Sequence, residues 1–400
     1  MRRRTFLHAL NLGIASTTLF GSDLFAMEKD RANDKELAYH RIKDIRFSNV
    51  QLHYPRLVGK NARLDLHGHG PKIDICTIHT DKGAVGWASL RGSRKEAEML
   101  AKELIGKSVA DVFQTNIGLT VAKFIPFDIA LHDLAGVILN KPVFALLGRE
   151  KPIIHDCYSG MLYFDDLEPR EKPAGIDKIV EECKQDYDLG YRQFKLKIGR
   201  GHRWMPSDEG LKRDIDVTKQ VAAAFPDCKI LVDGNNGFTA DRFIQYLQGI
   251  AGINLFWIEE PFHETEADYT KLRAWLKKEN IQTLLADGEA DPDQRQLKQL
   301  IEKKLLDVHL TDIEGLGFTN WRKLMPELKQ MGAQASPHAW GSLLKTYYTA
   351  HLSGGLGNTA TIEGVSSMSD DVDLSGYVLH EGKLTPPSGA GFGMKLLKKV

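Results

Sequence analysis

Four stretches of this sequence end in residues that hold cations or move protons. They read Phe194-Lys195-Leu196-Lys197-Ile198-Gly199, Ile230-Leu231-Val232-Asp233-Gly234-Asn235, Phe256-Trp257-Ile258-Glu259-Glu260-Pro261 and Leu284-Leu285-Ala286-Asp287-Gly288-Glu289. Asp233 and Glu259 are 26 residues apart, and Glu259 and Glu289 are 30 apart. Each gap has room for one helix and two short loops, the period of a βα unit in a barrel of parallel strands. Acids at the C-terminal ends of adjacent barrel strands converge on one point. Two unit charges about 4 Å apart repel by roughly 4 kcal/mol even at an effective dielectric of about 20, so carboxylates sharing such a pocket require a cation. The expectation is a divalent metal on Asp233, Glu259 and a third acid, with lysines beside it. Asp287 and Glu289 both qualify as the third ligand; Glu289 is preferred because it lies nearer the strand's mouth.

Lys195 and Lys197 are two residues apart on one strand, so they share a face, and Leu196 and Ile198 face the helices. Two adjacent ammonium groups depress one another's pKa, and a neutral lysine is a base. Asp233 and Asn235 repeat the spacing. An acid and an amide on one face suit a hard cation and a substrate oxygen, although Asp-Gly-Asn-Asn-Gly also reads as a turn. Pro261 stops its strand and leaves Glu259 pointing inward.

The elements around these residues follow the same rhythm. From Ile153 onward, apolar strand runs at 193–198, 229–233, 255–259, 283–287, 306–311, 333–336 and 360–363 alternate with helical text. The helices are expected near 177–189, 208–224, 240–250, 266–279, 293–304, 319–331 and 342–353. Short apolar strands suit burial on both faces, and this many units imply a closed barrel. Upstream, Ile73 to Thr80 alternates, Asp81-Lys82-Gly83 turns and Ala84 to Ala88 returns, which reads as a hairpin. A helix is expected from Ser93, capped by that serine with Glu96 three residues on, and a second from about Val121 to Leu139.

Composition bounds the function. Lys and Arg total 53 and Asp and Glu total 53, a balance that favours neither nucleic acid nor a membrane surface as partner. Cys76, Cys157, Cys183 and Cys228 lack metal-type spacing and read as buried thiols. Met1-Arg2-Arg3-Arg4-Thr5-Phe6-Leu7, followed by a moderately apolar stretch to Phe25, resembles a twin-arginine export signal with Ala26 as the cleavage point. The stretch is too polar for a stable membrane anchor. The expected organisation is a signal at 1–26, a linker at 27–40, an α+β domain at 41–152 and a barrel at 153–365. A C-terminal segment, 366–400, is expected to pack back on the first domain. The expected location is the periplasm.

Together the K-x-K, D-x-N, I-E-E-P and A-D-G-E strands occur in the order of a known family. Phe127-Asp128-Ile129-Ala130-Leu131-His132-Asp133-Leu134-Ala135-Gly136, with Lys141-Pro142-Val143-Phe144-Ala145-Leu146-Leu147-Gly148 after it, is similar to that family's text before the barrel. The chain resembles the enolase superfamily, and within it the mandelate racemase/muconate lactonizing enzyme family. The resemblance covers roughly residues 40 to 395. It departs at His309-Leu310-Thr311-Asp312, which lacks a Gln-Pro before the aspartate, and at Val137, where the family has a basic residue.

The resemblance implies an α/β fold, a modified (β/α)8 TIM barrel of (β/α)7β type with an N-terminal α+β capping domain. It implies one Mg2+ per subunit on Asp233, Glu259 and Glu289, with Mn2+ as a substitute, in a homo-oligomer acting on a small-molecule carboxylate. It adds His338, ending the seventh strand, oriented by Asp312 at the end of the sixth, and Glu363 on the eighth. Lys197 and His338 become bases on opposite faces. Lys195 lowers the pKa of Lys197 and binds the carboxylate, and Glu363, if protonated, donates to the developing oxyanion. The implied act is removal of the proton α to a carboxylate. Dehydration of a sugar acid is expected first, and racemisation or epimerisation of a hydroxy acid is the alternative. A non-catalytic exported binding protein on this scaffold is a third. Substrate identity is expected in the loop Arg56 to Pro71, with His67 and His69, and in Arg200, His202 and Arg203, with Asn235 also on the substrate.

Overall fold

A computed structural model describes residues 31–398. The export-type segment expected at 1–26 lies outside the described residues.

The first domain is built on the expected hairpin. β1 (Ile42–Gln51) pairs antiparallel with β2 (Lys72–Thr80), and β2 pairs with β3 (Val85–Ser89) across a turn where Gly83 takes φ +86°. α1 (Arg94–Leu104) buries Ala97, Ala101 and Leu104, one face at helical spacing. Ser93 is its N-cap residue, but contrary to expectation its side chain makes no capping bond. The expected helix from Val121 to Leu139 is divided. A 3-10 segment at Ala122–Phe127 contains Pro126, and α2 (Asp128–Ile138) follows. Proline has no N–H to donate and clashes with the preceding turn, which favours the break. α2 is buried from Asp128 to Gly136, between the sheet and the barrel.

Among the described residues the barrel strands are β4 (His155–Leu162), β5 (Gln193–Lys197), β6 (Lys229–Asp233), β7 (Leu255–Glu259), β8 (Leu284–Asp287), β9 (Val308–His309), β10 (Gln334–Ala335) and β11 (Ile362–Gly364). They pair in parallel in that order, and β11 pairs with β4. The bridge Ala335–Thr359 brings β10 to the approach of β11. The intervening helices are α3 (Ile176–Asp188), α4 (Ser207–Ala224), α5 (Ala240–Gly249), α6 (Glu266–Lys278), α7 (Gln294–Glu302), α8 (Phe318–Gln330) and α9 (Leu343–Leu356). This is a modified TIM barrel with a capping domain. Tyr158, Leu231, Trp257, Ala286, Val308 and Leu310 fill its interior as one cluster, separate from the larger core between strands and helices. The polar residues at the strand mouths therefore stand on a packed floor.

The C-terminal segment touches both parts. β12 (Val372–Asp373) pairs with β15 (Lys395–Leu396), while β14 (Lys383–Thr385) pairs antiparallel with β13 (Val378–His380) and with β4. Phe392 N donates to Asp133 of α2, and Trp87 Nε1 donates to Met394 O. All four cysteines are free thiols.

Candidate active site

Strand register decides which residues meet. Lys197 is level with Asp233, Asp233 with Glu259, and Glu259 with Ala286. Ala286 therefore takes the inward position on β8, and Asp287 turns to the opposite face. There it accepts a hydrogen bond from Tyr269 of α6 and caps Gly288 N at 2.6 Å. Burial pushes its carboxyl up to about 7. Glu289, beyond the strand end, returns to the mouth. Asp233, Glu259 and Glu289 each place a carboxylate oxygen within 4.8 Å of the others. Glu259 Oε2 and Glu289 Oε2 are buried with no hydrogen-bond partner. Unpaired buried carboxylate oxygens are costly, and three converging ones fit a hard divalent cation.

The lysines flank this cluster. Lys195 Nζ lies 2.7 Å from Glu259 Oε1, 3.0 Å from Glu363 Oε1 and 3.3 Å from Asp233 Oδ2. Lys197 Nζ bonds Asp233 Oδ2. Tyr158 and Tyr163 place their rings 5.2 Å from Lys195 Nζ and Lys197 Nζ respectively. The expected depression of the Lys197 pKa is not what this arrangement produces. Burial and Lys195 push it down, but Asp233, Glu289 and Glu259 outweigh them and its pKa is raised. Lys195 is raised well above the ordinary lysine value, with burial opposing and Glu259 and Glu363 prevailing.

On the other side stands His338. Its Nδ1 is 3.1 Å from Asp312 Oδ2, and its Nε2 is 3.2 Å from Glu289 Oε1 and 3.6 Å from Glu363 Oε2. Burial lowers its pKa, but Glu289, Glu363 and Asp312 more than offset this and hold it well above the ordinary imidazole value. Asp312 accepts from Glu314 N at 2.9 Å and Gly315 N at 2.8 Å, capping the turn Ile313–Leu316. Lys345 Nζ of α9 completes its shell at 2.9 Å.

Glu363 reaches inward from β11 over Gly160, where an added Cβ would lie 2.7 Å from Glu363 Oε1. Ala339 N donates to Glu363 Oε2 at 2.7 Å. Burial raises its pKa, but Lys195 and His338 bring it below the ordinary value, so here it is an ionised acceptor. Donation from Glu363 to an oxyanion would first require the protonation that Lys195 and His338 oppose.

Asn235 is not on a strand. β6 ends at Asp233 and Asn235 takes φ +42°. Its N–H donates to Asp233 Oδ1 at 2.9 Å, and its own Oδ1 is buried without a partner. Arg200 is committed to partners within the chain. It is fully buried, with Nη2 2.6 Å from Asp166 Oδ1 and Nη1 2.8 Å from Asp214 Oδ1. Its fork is consumed in joining the turn after β5 to α4 and to the loop after β4. Arg203 is exposed, donates to Arg63 O at 2.7 Å and lies over Trp204.

Several contributors escaped the sequence reading. Glu260, fully buried at φ +37°, accepts from Glu289 N at 2.9 Å and Ala290 N at 2.7 Å, and so holds the backbone that presents Glu289. Its signal was present in the second glutamate of the I-E-E-P run. Lys345 and Tyr163 carried no readable signal. The loop of residues 52–71 covers the mouth. Tyr54 and His67 pack on Trp340 with ring centroids 5.7 and 5.6 Å away, and His67 packs on Tyr163 at 4.6 Å. Burial and Lys197 lower the His67 pKa, and its Nδ1 bonds Gly59 O at 2.7 Å.

Known proteins share this architecture. The family described as Enolase C-terminal domain-like matches residues 178–400. Arabinonate dehydratase of Saccharolobus solfataricus is 24% identical over 379 residues, 88% of this chain and 96% of that protein. Galacturonate dehydratase from a Geobacillus species is 32% identical, superposes with a TM-score of 0.84 and is covered to 95%, against 90% of this chain. That structure is complexed with D-galacturonate and 5-keto-4-deoxy-D-galacturonate. A mandelate racemase/muconate lactonizing protein from Geobacillus sp. Y412MC10, complexed with magnesium/tartrate, is also 32% identical with a TM-score of 0.84, covering 90% of this chain and 93% of that one.

Proposed function

The chain belongs to the enolase superfamily, in its mandelate racemase-like group, and from that premise we propose that it dehydrates a sugar acid with Mg2+. The observation that carries this reading is the pair of opposed proton-transfer groups, Lys197 and His338, on either side of the Asp233, Glu259 and Glu289 cluster. A lysine or histidine base working beside Mg2+ is the general scheme of such sites. A divalent cation on the three carboxylates would supply charge to polarise the substrate carboxylate, and would relieve Asp233's hold on the Lys197 proton.

The remaining chemistry belongs to the chain. Lys195 offers a fixed ammonium to the substrate carboxylate. Lys197, once neutral, takes the proton from the α-carbon, and the C–H electron pair moves into the carboxylate as an enediolate. His338, held protonated by its carboxylate neighbours, gives its proton to the β-hydroxyl as the C–O bond breaks. The hydroxyl leaves as water and the enol tautomerises to a 2-keto-3-deoxy acid. Asp312 keeps the imidazole oriented, and Lys345 keeps Asp312 ionised. Return of the proton on the opposite face would give epimerisation instead, and the two-sided arrangement supports that as the second reading.

The test is a panel of aldonic, uronic and aldaric acids with Mg2+ or Mn2+, following keto-acid formation, optical rotation and α-proton exchange in D2O. Keto-acid formation abolished by chelation is expected. Exchange without water loss would favour epimerisation, and no exchange on any acid would leave a binding protein. The Arg3-Arg4 pair supports an exported, periplasmic enzyme. Replacing both with lysine is expected to retain the precursor in the cytoplasm, and unchanged export would remove that assignment.

A further inference from the structure

A second buried ionic cluster lies where the mouth-covering loop meets the barrel. Arg56, from that loop, donates from Nη1 to Asp186 Oδ1 at 2.7 Å and from Nη2 to Asp186 Oδ2 at 2.8 Å, and reaches Met161 O at 3.3 Å. Ser159 of β4 also donates to Asp186, at 2.5 Å. Three residues on, Gly59 N donates to Asp165 Oδ2 at 3.1 Å, and Lys60 pairs with Glu168 at 2.5 Å. These bonds seat the backbone whose Gly59 carbonyl fixes His67, which packs on Tyr163, the ring beside Lys197.

Glu182 of α3 stands apart from these bonds. It is fully buried and neither carboxylate oxygen has a hydrogen-bond partner. The charged groups facing it are Arg56 from the loop, Asp165 from the turn after β4, and Lys178 and Asp186 from α3 itself. Arg56 Nε stands 3.8 Å away, itself unpartnered, and Lys178 Nζ stands 3.7 Å away. If Glu182 is ionised, three carboxylates face one arginine and a half-buried lysine. If it is neutral, Arg56 and Asp186 balance each other and Lys178 offsets Asp165.

We propose that Glu182 is the proton-operated member of a latch that seats the loop of residues 52–71 over the reaction centre, holding it when neutral and loosening it when ionised. Opening the loop withdraws Arg56 and admits water to Glu182, so the open form accepts the charge that the closed form resists. Burial, with Asp165 next, pushes the Glu182 carboxyl up to about 8 in the closed form, from an ordinary value of 4.5. Because the closed-state pKa is the raised one, closure is strongest below the open-state pKa. It weakens as pH rises towards about 8 and is constant above that. Burial pushes Asp165 up to about 6 by the same logic, so its contribution overlaps that of Glu182 at lower pH but ends by about pH 6, leaving Glu182 above it.

The experiment is hydrogen exchange at the amides of Val58, Gly59 and Asn61 in the metal-free, substrate-free protein. The readout is independent of the proposed reaction. Protection factors, corrected for intrinsic exchange, are expected to fall by up to about tenfold per pH unit between about pH 6.5 and 8, then level. In Glu182→Gln they should be flat across that range. In Lys178→Met, which removes one of the two cations that lower the Glu182 pKa, the fall should extend to higher pH. A flat wild-type profile overturns the latch, as does an undiminished fall in Glu182→Gln. If that variant does not fold, an unshifted profile in Lys178→Met overturns it equally.

Discussion

The buried ionic cluster around Arg200 and the one at the barrel mouth differ in their bonding states. Around Arg200, the fork, Asp166 and Asp214 satisfy one another, with Arg213 also on Asp166 at 3.1 Å. At the barrel mouth, Asp233, Glu259 and Glu289 converge with carboxylate oxygens left over. Both clusters lie among buried strand ends and the turns that follow. Saturation marks the first as a joint between elements. Leftover, convergent acceptors mark the second as a place built for something not supplied by the chain. Arginine suits the joint because its planar fork binds two carboxylates at fixed angles, whereas lysine suits the mouth because its point charge can lose a proton.

The largest expected effect breaks the mouth cluster's chemistry. Lys197→Ala and His338→Asn should each lower the dehydration rate by about 10²–10⁴-fold, the usual worth of a general acid or base. Their partial reactions should differ, with His338→Asn retaining α-proton exchange in D2O that Lys197→Ala loses. Equal loss of exchange in both would end the two-sided reading.

Next in size is the joint. Arg200→Met leaves Asp166 and Asp214 buried without their shared cation and should cost about 3–5 kcal/mol in urea denaturation. The KM of the protein that remains folded should hold. A raised KM with unchanged stability would instead return Arg200 to the substrate and erase the contrast between the clusters.

A subtler change sharpens it. Glu260→Ala should weaken Mg2+ binding by about 10–100-fold in calorimetry, because the backbone presenting Glu289 loses its anchor. Glu260→Gln should remain near wild type, since an amide oxygen also accepts two N–H bonds. Equal loss in both would mean that the charge of Glu260, rather than its hydrogen bonds, serves the site.

The smallest effect concerns Asp312. Burial would raise its carboxyl, but His338 and Lys345 hold it well below the usual carboxylate range. It is therefore ionised through neutral pH, and the support it gives His338 is lost only as pH falls through that depressed value. Asp312→Asn removes the charge while keeping a hydrogen-bonding group. The His338 limb of the pH–rate profile should move down by about 1 pH unit or more, with a smaller loss of rate than in His338→Asn. An unmoved limb would assign Asp312 to capping the Ile313–Leu316 turn alone.

Legibility followed periodicity. The strand at 193–198 and the helix at 208–224 were expected within a residue or so of β5 and α4, because apolar runs and amphipathic spacing are local properties. The expected helix over 121–139 was divided because Pro126 acts on backbone geometry rather than on the apolar pattern. Ser93 stands at the expected N-cap, yet its side chain makes no bond there. In the site, spacing alone left Asp287 and Glu289 tied. Arg200 looked available only because its partners, Asp166 and Asp214, lie 34 and 14 residues away.

Spacing, apolar rhythm and motif order were enough to settle the barrel, its capping domain and a convergent set of acids and lysines, since each depends on residues close in the chain. Cross-strand register put Ala286 level with Glu259 and so turned Asp287 away. Burial opposes both charges, yet the neighbouring groups hold Lys197 and Glu363 ionised, where two adjacent ammonium groups alone had implied a lowered Lys197 pKa. Proton positions depend on the sum of every charge within a few ångströms, and that sum exists only once distant strands have been brought together.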